Sequence, residues 1–339
     1  MREGKNYRIL KMLAIFLSVM FVLSVFTNAW AADKKFKLTL SGASPGGLWS
    51  LLGEGMSNAL AKAFPGSSLT YQTSGGGLAN IALVTRGKVE MGLAHNVEIK
   101  AALRGAEPFK QPIKNLTALA YLYNWAPMQY IIRKDFAEKY GIKTIQDIKE
   151  KKPPIKVAVN TRGNMVEAMN REIFEASGFT YQDIENWGGQ VVFAASKEMA
   201  NLMRDRRIDM FGNGVFAPHS SILEAANSIN VTMLPLSQSV IETVSEKMGA
   251  DQYVIKKSAY DFLDSDIPTV ALGCMAIIQD KMSEADVYAI TKALVENIDA
   301  IRNVHKSMKA LTPELMASQR VIPYHPGAAK FYREKGLLK

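Results

Sequence analysis

The sequence predicts an α/β chain folded as two lobes with a ligand cleft between them. Strand-like and helix-like segments alternate from residue 36 to the C-terminus, the pattern of a parallel sheet covered by helices. The alternation comes in two sets joined by "LTALAYLYNWAPMQYIIRKD", an apolar run too long for one ordinary strand and suited to pass from one lobe to the next. The chain has 339 residues, 48% of them hydrophobic, and at about 150 residues per domain that is enough for two cores.

The first segment stands outside the fold. Arg2, Lys5, Arg8 and Lys11 precede the apolar stretch "MLAIFLSVMFVLSVF", and Ala29-Trp30-Ala31 offers a small-residue cleavage site. Residues 1–31 therefore read as a signal peptide cut after Ala31, leaving a periplasmic, soluble chain. The alternative is an uncleaved anchor, since the run approaches the roughly 18 residues of a spanning helix, but small residues followed by "DKK" favour cleavage. Cleavage removes four bases and one acid, lowering the formal charge of +9 to about +6, with the remaining bases spread along the chain. The densest group, "RDRR" at 204–207, sits at a helix end, where cations complement the dipole. Nucleic acid is thus not an expected partner. Cys274 is the only cysteine, in the apolar setting "TVALGCMAII", so the fold has no disulfide framework and the thiol is expected to be buried.

In the first set, "KFKLTLSGA" is a strand and the next helix repeats Trp49, Leu52, Met56 and Leu60 at helical spacing. "SLTYQTS", "GLANIALVTRG", "VEMGLAHN" and a short helix to Arg104 follow. The second set opens with a capping box, Thr144 and Asp147. It continues through the strand "IKVAVN", a helix closed by Gly178, "GGQVVFAA", a helix capped by Ser196, "IDMFGNG", and a helix with Pro218 in its first turn. A last long helix begins at Ser283, with Val287, Ile290, Leu294 and Ile298 on one face. The expected division is lobe I over 32–122, lobe II over 123–236, and a return to lobe I with C-terminal helices over 237–339. Hinges are expected near 121–128 and 233–240.

In open parallel sheets, ligands bind beyond the carboxyl ends of the strands. Here those loops are "SGASPGG", "TSGGG", "AHN", "NTRGN" and "GNGVFAP", small, polar and nearly free of catalytic side chains. Gly42 to Gly46 spells G-x-S-x-G, which suggests a hydrolase elbow with Ser44 as nucleophile and His325 as a nominal base. The residue after Ser44 is Pro45, however, which lacks the N–H that an oxyanion hole needs there. The four histidines have no metal-ligand spacing, and neither a P-loop nor G-x-G-x-x-G occurs, so no metal and no cofactor are expected.

Several segments together resemble the TAXI family, the extracytoplasmic solute receptors of TRAP-type transporters. They are "SPGGLWSLLGEGMSNALAKAFPG", "YQTSGGGLANIALVTRGKVEMGLAHN", "GIKTIQDIK", "FGNGVFAPHSSILEAA" and the closing "IPYHPGAAKFYREKG". The resemblance implies a two-lobed periplasmic-binding-protein-like fold of type II, a receptor without catalytic activity, and membrane permease subunits as partners. It implies a small organic anion as ligand, probed by a monomeric chain. The family's Gly-Gly-Thr-Tyr-Tyr is replaced by Gly46, Gly47, Leu48, Trp49 and Ser50, and Gly77 stands where the family has a serine. A site poorer in hydroxyls and richer in apolar surface follows, suited to a carboxylate with an apolar body. The expected ligand-binding residues are Gly46, Gly47, Leu48, Trp49, Ser74, Gly75, Gly76, Gly77, His95, Asn96, Trp125, Asn160, Thr161, Arg162, Gly163, Asn164, Asn213, Gly214 and Val215. Arg162, in a loop between a strand and a helix, is expected to clamp the carboxylate through its planar fork, with Asn164 capping the helix. An exported hydrolase and a ligand-sensing module for a membrane partner are the competing readings.

Overall fold

The computed structural model describes residues 34–339 apart from Ser44, Pro108 and Gly163. The expected signal peptide and cleavage site, residues 1–31, lie outside the described residues. Among the described residues ten strands form one sheet, eight of them in a continuous path and two paired beside it. β1 (Lys37–Ser41), β2 (Ser68–Gln72) and β3 (Met91–His95) run parallel in the order β2-β1-β3, each followed by a helix as the alternation predicts. β4 (Leu116–Arg133) is the long apolar run. β5 (Lys156–Val159), β6 (Gln190–Phe193) and β7 (Met210–Gly214) form a second parallel group, with β8 (Val231–Met233) on the side of β4. β9 (Asp251–Ile255) pairs with β10 (Ile267–Gln279).

The two parallel groups meet through two antiparallel strands. β10 lies between β3 and β4, antiparallel to both, and β4 is antiparallel to β7. The sheet is therefore mixed rather than wholly parallel as alternation suggests. Along β4, residues up to Pro127 pair with β10, and from Met128 onward they pair with β7, so one strand serves both groups. β4 and β10 are buried along nearly their whole length, which is why they read as apolar runs without alternation.

Most helix boundaries follow from local chemistry. Asp147 accepts the N–H groups of Thr144 (2.8 Å) and Lys143 (2.7 Å), and Ser283 caps the Glu284–Glu296 helix through the Asp286 N–H. Two caps differ from the sequence reading. Ala195, not Ser196, is the N-cap of the Ser196–Arg204 helix, because the Ser196 hydroxyl is taken by the Asn213 amide. His219 caps the Ser220–Ser228 helix, leaving Pro218 outside its first turn. Cys274 is fully buried in β10, and burial pushes its thiol well above the usual range. Among the described residues, no helix is long and apolar enough to cross a membrane.

The C-terminal "YHPGA" has a physical explanation in the fold. Pro326 takes the first helical position of the Pro326–Glu334 helix, and His325 Nδ1 accepts the Gly327 N–H at 3.2 Å. Nε2 faces the Met282 carbonyl at 3.1 Å. Both ring nitrogens of this buried histidine are thus engaged, one of them as an acceptor that requires an unprotonated nitrogen. Burial lowers the pKa of His325 below its ordinary 6.5, and that of His219 likewise. The unfolded imidazole takes up a proton first, so this stability is complete above about pH 6.5 and is lost as pH falls below it towards the folded value. Thermal unfolding followed between about pH 7 and 5 should show a falling midpoint, with a shallower slope in His325→Asn, which starts lower but has no imidazole to titrate.

Candidate functional site

A cavity of about 570 Å³ opens where the two strand groups meet. One side is built from the carboxyl ends of β1 and β3 and the loop after β2. It brings Ala43, Leu48, Trp49, Ser74, Gly75, Gly76, Gly77, Leu78, His95 and Glu98 to the wall. The other side comes from the loop after β7 and the start of the Met165–Ala176 helix, with Asn164, Met165, Val166, Gly214, Val215, Phe216 and His219. Tyr123 and Ala126 of β4 and Leu272 of β10 close the back.

The "SGASPGG" loop is held by Tyr71, whose hydroxyl accepts the Ala43 N–H at 2.7 Å and donates to the Ala43 carbonyl at 3.0 Å. A Cβ on Gly42 would lie 2.1 Å from that hydroxyl, and Gly46 has φ +78°. Both glycines of G-x-S-x-G thus have conformational or packing reasons, and the residue between them, Ser44, lies outside the described residues. Ser74 ties the second loop, its hydroxyl meeting the Gly42 carbonyl and Asn80 Oδ1, each at 2.5 Å, and accepting the Gly76 N–H at 3.0 Å.

An aromatic wall and one carboxylate dominate the chemistry. Trp49 Nε1 donates to the Tyr123 hydroxyl at 3.1 Å, and that hydroxyl lies 3.4 Å from His95 Nε2. His95 Nδ1 lies 3.2 Å from Glu98 Oε2, which also accepts the His95 backbone N–H at 2.7 Å. Trp49 and His95 pack with ring centres 4.9 Å apart, and Phe216 meets Tyr123 edge-on at 5.1 Å. The Tyr123 hydroxyl is pushed well upward by burial and stays protonated.

Of the expected residues, Leu48, Trp49, Ser74, Gly75, Gly76, Gly77, His95, Asn164, Gly214 and Val215 reach the cavity wall. Gly46, Gly47, Asn96, Trp125, Asn160, Thr161, Arg162 and Asn213 are not in it, and Gly163 lies outside the described residues. The absent asparagines have other tasks. Asn96 Oδ1 accepts the Gly273 N–H at 3.0 Å and its amide donates to Asp251, tying the start of the Asn96–Arg104 helix to β10 and β9. Asn160 and Asn213 face each other at 3.4 Å beneath the loops. Trp125 packs beside Tyr123, with its Nε1 buried and unpartnered among the described residues.

Arg162 is the main correction. Its guanidinium lies over the Phe193 ring, 3.7 Å from the centre, and the residue is exposed. In this position the fork stacks on β6 and does not line the cavity. Asn164 does cap its helix, accepting the Val166 N–H at 2.8 Å. Arg162→Met is accordingly expected to change solute affinity by less than about threefold, where a clamp would cost about tenfold or more; calorimetric titration distinguishes the two.

Glu98, Tyr123, Phe216, Met165, Val166, His219 and Leu272 were not among the residues picked out in the sequence. Glu98 carries the one available signal, an acid at the third helical position after His95, where it reaches back to the N-cap N–H.

The model of the NMT1-like family matches residues 40–336. The chain belongs to the NMT1-like family. Among solved structures, this NMT1-like chain is similar to a TctC solute binding protein from Polaromonas, with a TM-score of 0.54 and 13% identity over 81% of this chain and 88% of that one. A TRAP periplasmic solute binding protein from Ochrobactrum anthropi matches at TM-score 0.47 and 12% identity, over 83% and 79% of the two chains. The periplasmic aliphatic sulphonate binding protein SsuA from Escherichia coli matches at 0.44 and 11%, over 90% and 89%. The NMT1-like chain thus has the mixed α/β fold of the periplasmic solute-binding proteins, as the order of its motifs implies.

Proposed function

We propose that this chain is the extracytoplasmic receptor of a TRAP-type secondary transporter, of the TAXI group. In this reading it captures a small organic acid and hands it to membrane permease subunits without performing chemistry. The observation that carries this is a cavity walled from both strand groups, at the carboxyl ends of β1, β3 and β7, with β4 and β10 crossing behind it. The lobes we propose are β2-β1-β3 with the C-terminal helices, and β6-β5-β7 with β8. Ile255, Tyr260, Leu263 and Ile267 pack with Ile131, Ala158, Met199 and Phe211 of the second group. We therefore draw the return to lobe I along β10 rather than at residue 237.

Leu48, Trp49, Tyr123, Phe216, Met165 and Leu272 give the cavity extended apolar walls, which supports a solute with an aliphatic or aromatic body. A carboxylate is served by the start of the Leu48–Ala63 helix, whose N-cap Gly47 brings no side chain to its first N–H groups. The hydrolase reading loses its base, since His325 spends Nδ1 on capping its own helix and Nε2 on the Met282 carbonyl. Exported, periplasmic residence rests on the signal-peptide reading and the fold.

A solute touching both lobes favours the closed form by its differential affinity. Small-angle scattering of the mature chain is expected to show a smaller radius of gyration at saturation with a solute identified by thermal shift, and unchanged dimensions would count against the receptor. Deletion of the gene should abolish uptake of that solute; intact uptake would favour the sensing role.

A further inference from the structure

We propose that Glu98 makes this cavity selective for solutes that carry a protonated amine, and that it turns dicarboxylates away. The inference rests on the receptor reading above and names the solute class of the same site: an amine-bearing acid with an apolar body.

Glu98 is 7% exposed and yet forms part of the cavity wall. Its carboxylate lies against the start of the Gly77–Thr85 helix, so close that a Cβ on Gly77 would fall 1.7 Å from Oε2. This helix start, an end that favours anions, is therefore already supplied with one by the chain itself. A second carboxylate brought to the same helix end would meet like charge at short range in a water-poor site, which is unfavourable.

Within the described wall the ionisable partner of Glu98 is His95, and it meets one oxygen of the carboxylate. A run of polar contacts lies along the wall: Trp49 Nε1–H donates to the Tyr123 oxygen, that hydroxyl lies 3.4 Å from His95 Nε2, and His95 Nδ1 lies 3.2 Å from Glu98 Oε2. Oε2 also takes the His95 backbone N–H, whereas Oε1 accepts no hydrogen bond among the described residues. No lysine or arginine stands in the described wall; of its two histidines, His95 faces Glu98, and His219 is held towards its neutral form by burial. A buried carboxylate with a free oxygen, beside the rings of Trp49, Tyr123 and Phe216, is an environment that an ammonium group satisfies by a charged hydrogen bond and by cation–π attraction. The same wall gives an amine-free dicarboxylate nothing for its second charge.

The test uses the mature chain with three probes that share a body, L-leucine, 4-methylpentanoate, which lacks the amine, and 3-methylbutylamine, which lacks the acid, together with the dicarboxylate glutarate. A phenyl-bodied set, L-phenylalanine, 3-phenylpropionate and 2-phenylethylamine, covers a larger cavity. Calorimetry near neutral pH is expected to rank the amine-bearing acid at least about tenfold above its amine-free counterpart, with glutarate weakest. In Glu98→Gln, which keeps the size and the acceptor for the His95 N–H, that preference should fall below about threefold. An amine-free acid or glutarate binding as tightly as the amine-bearing acid overturns the proposal, as does a preference that survives Glu98→Gln. If that variant does not fold, the ranking on the unaltered chain decides alone. Silence from every probe in both sets, together with unchanged scattering dimensions, overturns the receptor reading on which this one rests.

Discussion

Gly327→Ala is expected to destabilise the folded chain by about 3 kcal/mol, the upper part of the range for overpacking a close contact. Gly327 sits in the first turn of the Pro326–Glu334 helix, where that helix packs across the Glu284–Glu296 helix. A methyl group built there would lie 2.2 Å from the Glu284 carbonyl oxygen and 2.7 Å from the Tyr288 nitrogen. Both neighbours are backbone, so no rotamer change relieves the clash, and one helix must move. That movement would disturb Tyr332, whose hydroxyl donates to the Leu119 carbonyl of β4 at 3.0 Å, and the His325 cap. Urea unfolding is the measurement: a midpoint shifted by less than the equivalent of about 1 kcal/mol would show that the helices separate more easily than their packing suggests.

Gly77→Ala is expected to cost about 2 kcal/mol and to remove solute binding at the same time. The backbone at Gly77 is ordinary helix, so the cost comes from the Glu98 carboxylate, which has to leave. Expelled, it no longer accepts the His95 N–H, and an unpaired amide at a buried helix start costs about 1–3 kcal/mol. Native-state hydrogen exchange should show faster exchange at the His95 amide in this variant, together with the lost binding. Slow exchange with lost binding would instead indicate that the methyl blocks the cavity directly. Gly76→Ala is a useful comparison: open space surrounds that position, but its φ of +103° makes any side chain there strained.

The alternation of strands and helices, and most of their boundaries, were legible because they are local properties. The helix Asn96–Arg104 ends at Arg104 with Gly105 in the left-handed region, as its sequence implies. The Asn164 and Ser283 caps are likewise side-chain-to-backbone bonds across two or three residues. The site was half legible. Glycine-rich loops at strand ends led to Ser74 through Gly77, His95 and Gly214, since a parallel strand group sends its carboxyl ends to one edge. Phe216, Met165 and Leu272 sit in stretches that read equally well as core, and nothing in their spacing tells which apolar side chains face a cavity.

By itself, the sequence determined an α/β chain of two strand groups, a buried lone thiol, and glycine loops without a catalytic set, all consequences of periodicity, composition and turn chemistry. Tertiary structure alone decided that β10 runs antiparallel between β3 and β4, because strand direction depends on partners more than 100 residues apart. It also decided the fate of the two charges nearest the site. Arg162 lies on Phe193 and away from the wall, while Glu98, a capping acid by its local pattern, comes to rest against Gly77 inside it. Both placements depend on what two separate segments bring to the same point, and the energy of a charge in a cavity is set by those neighbours rather than by its own segment.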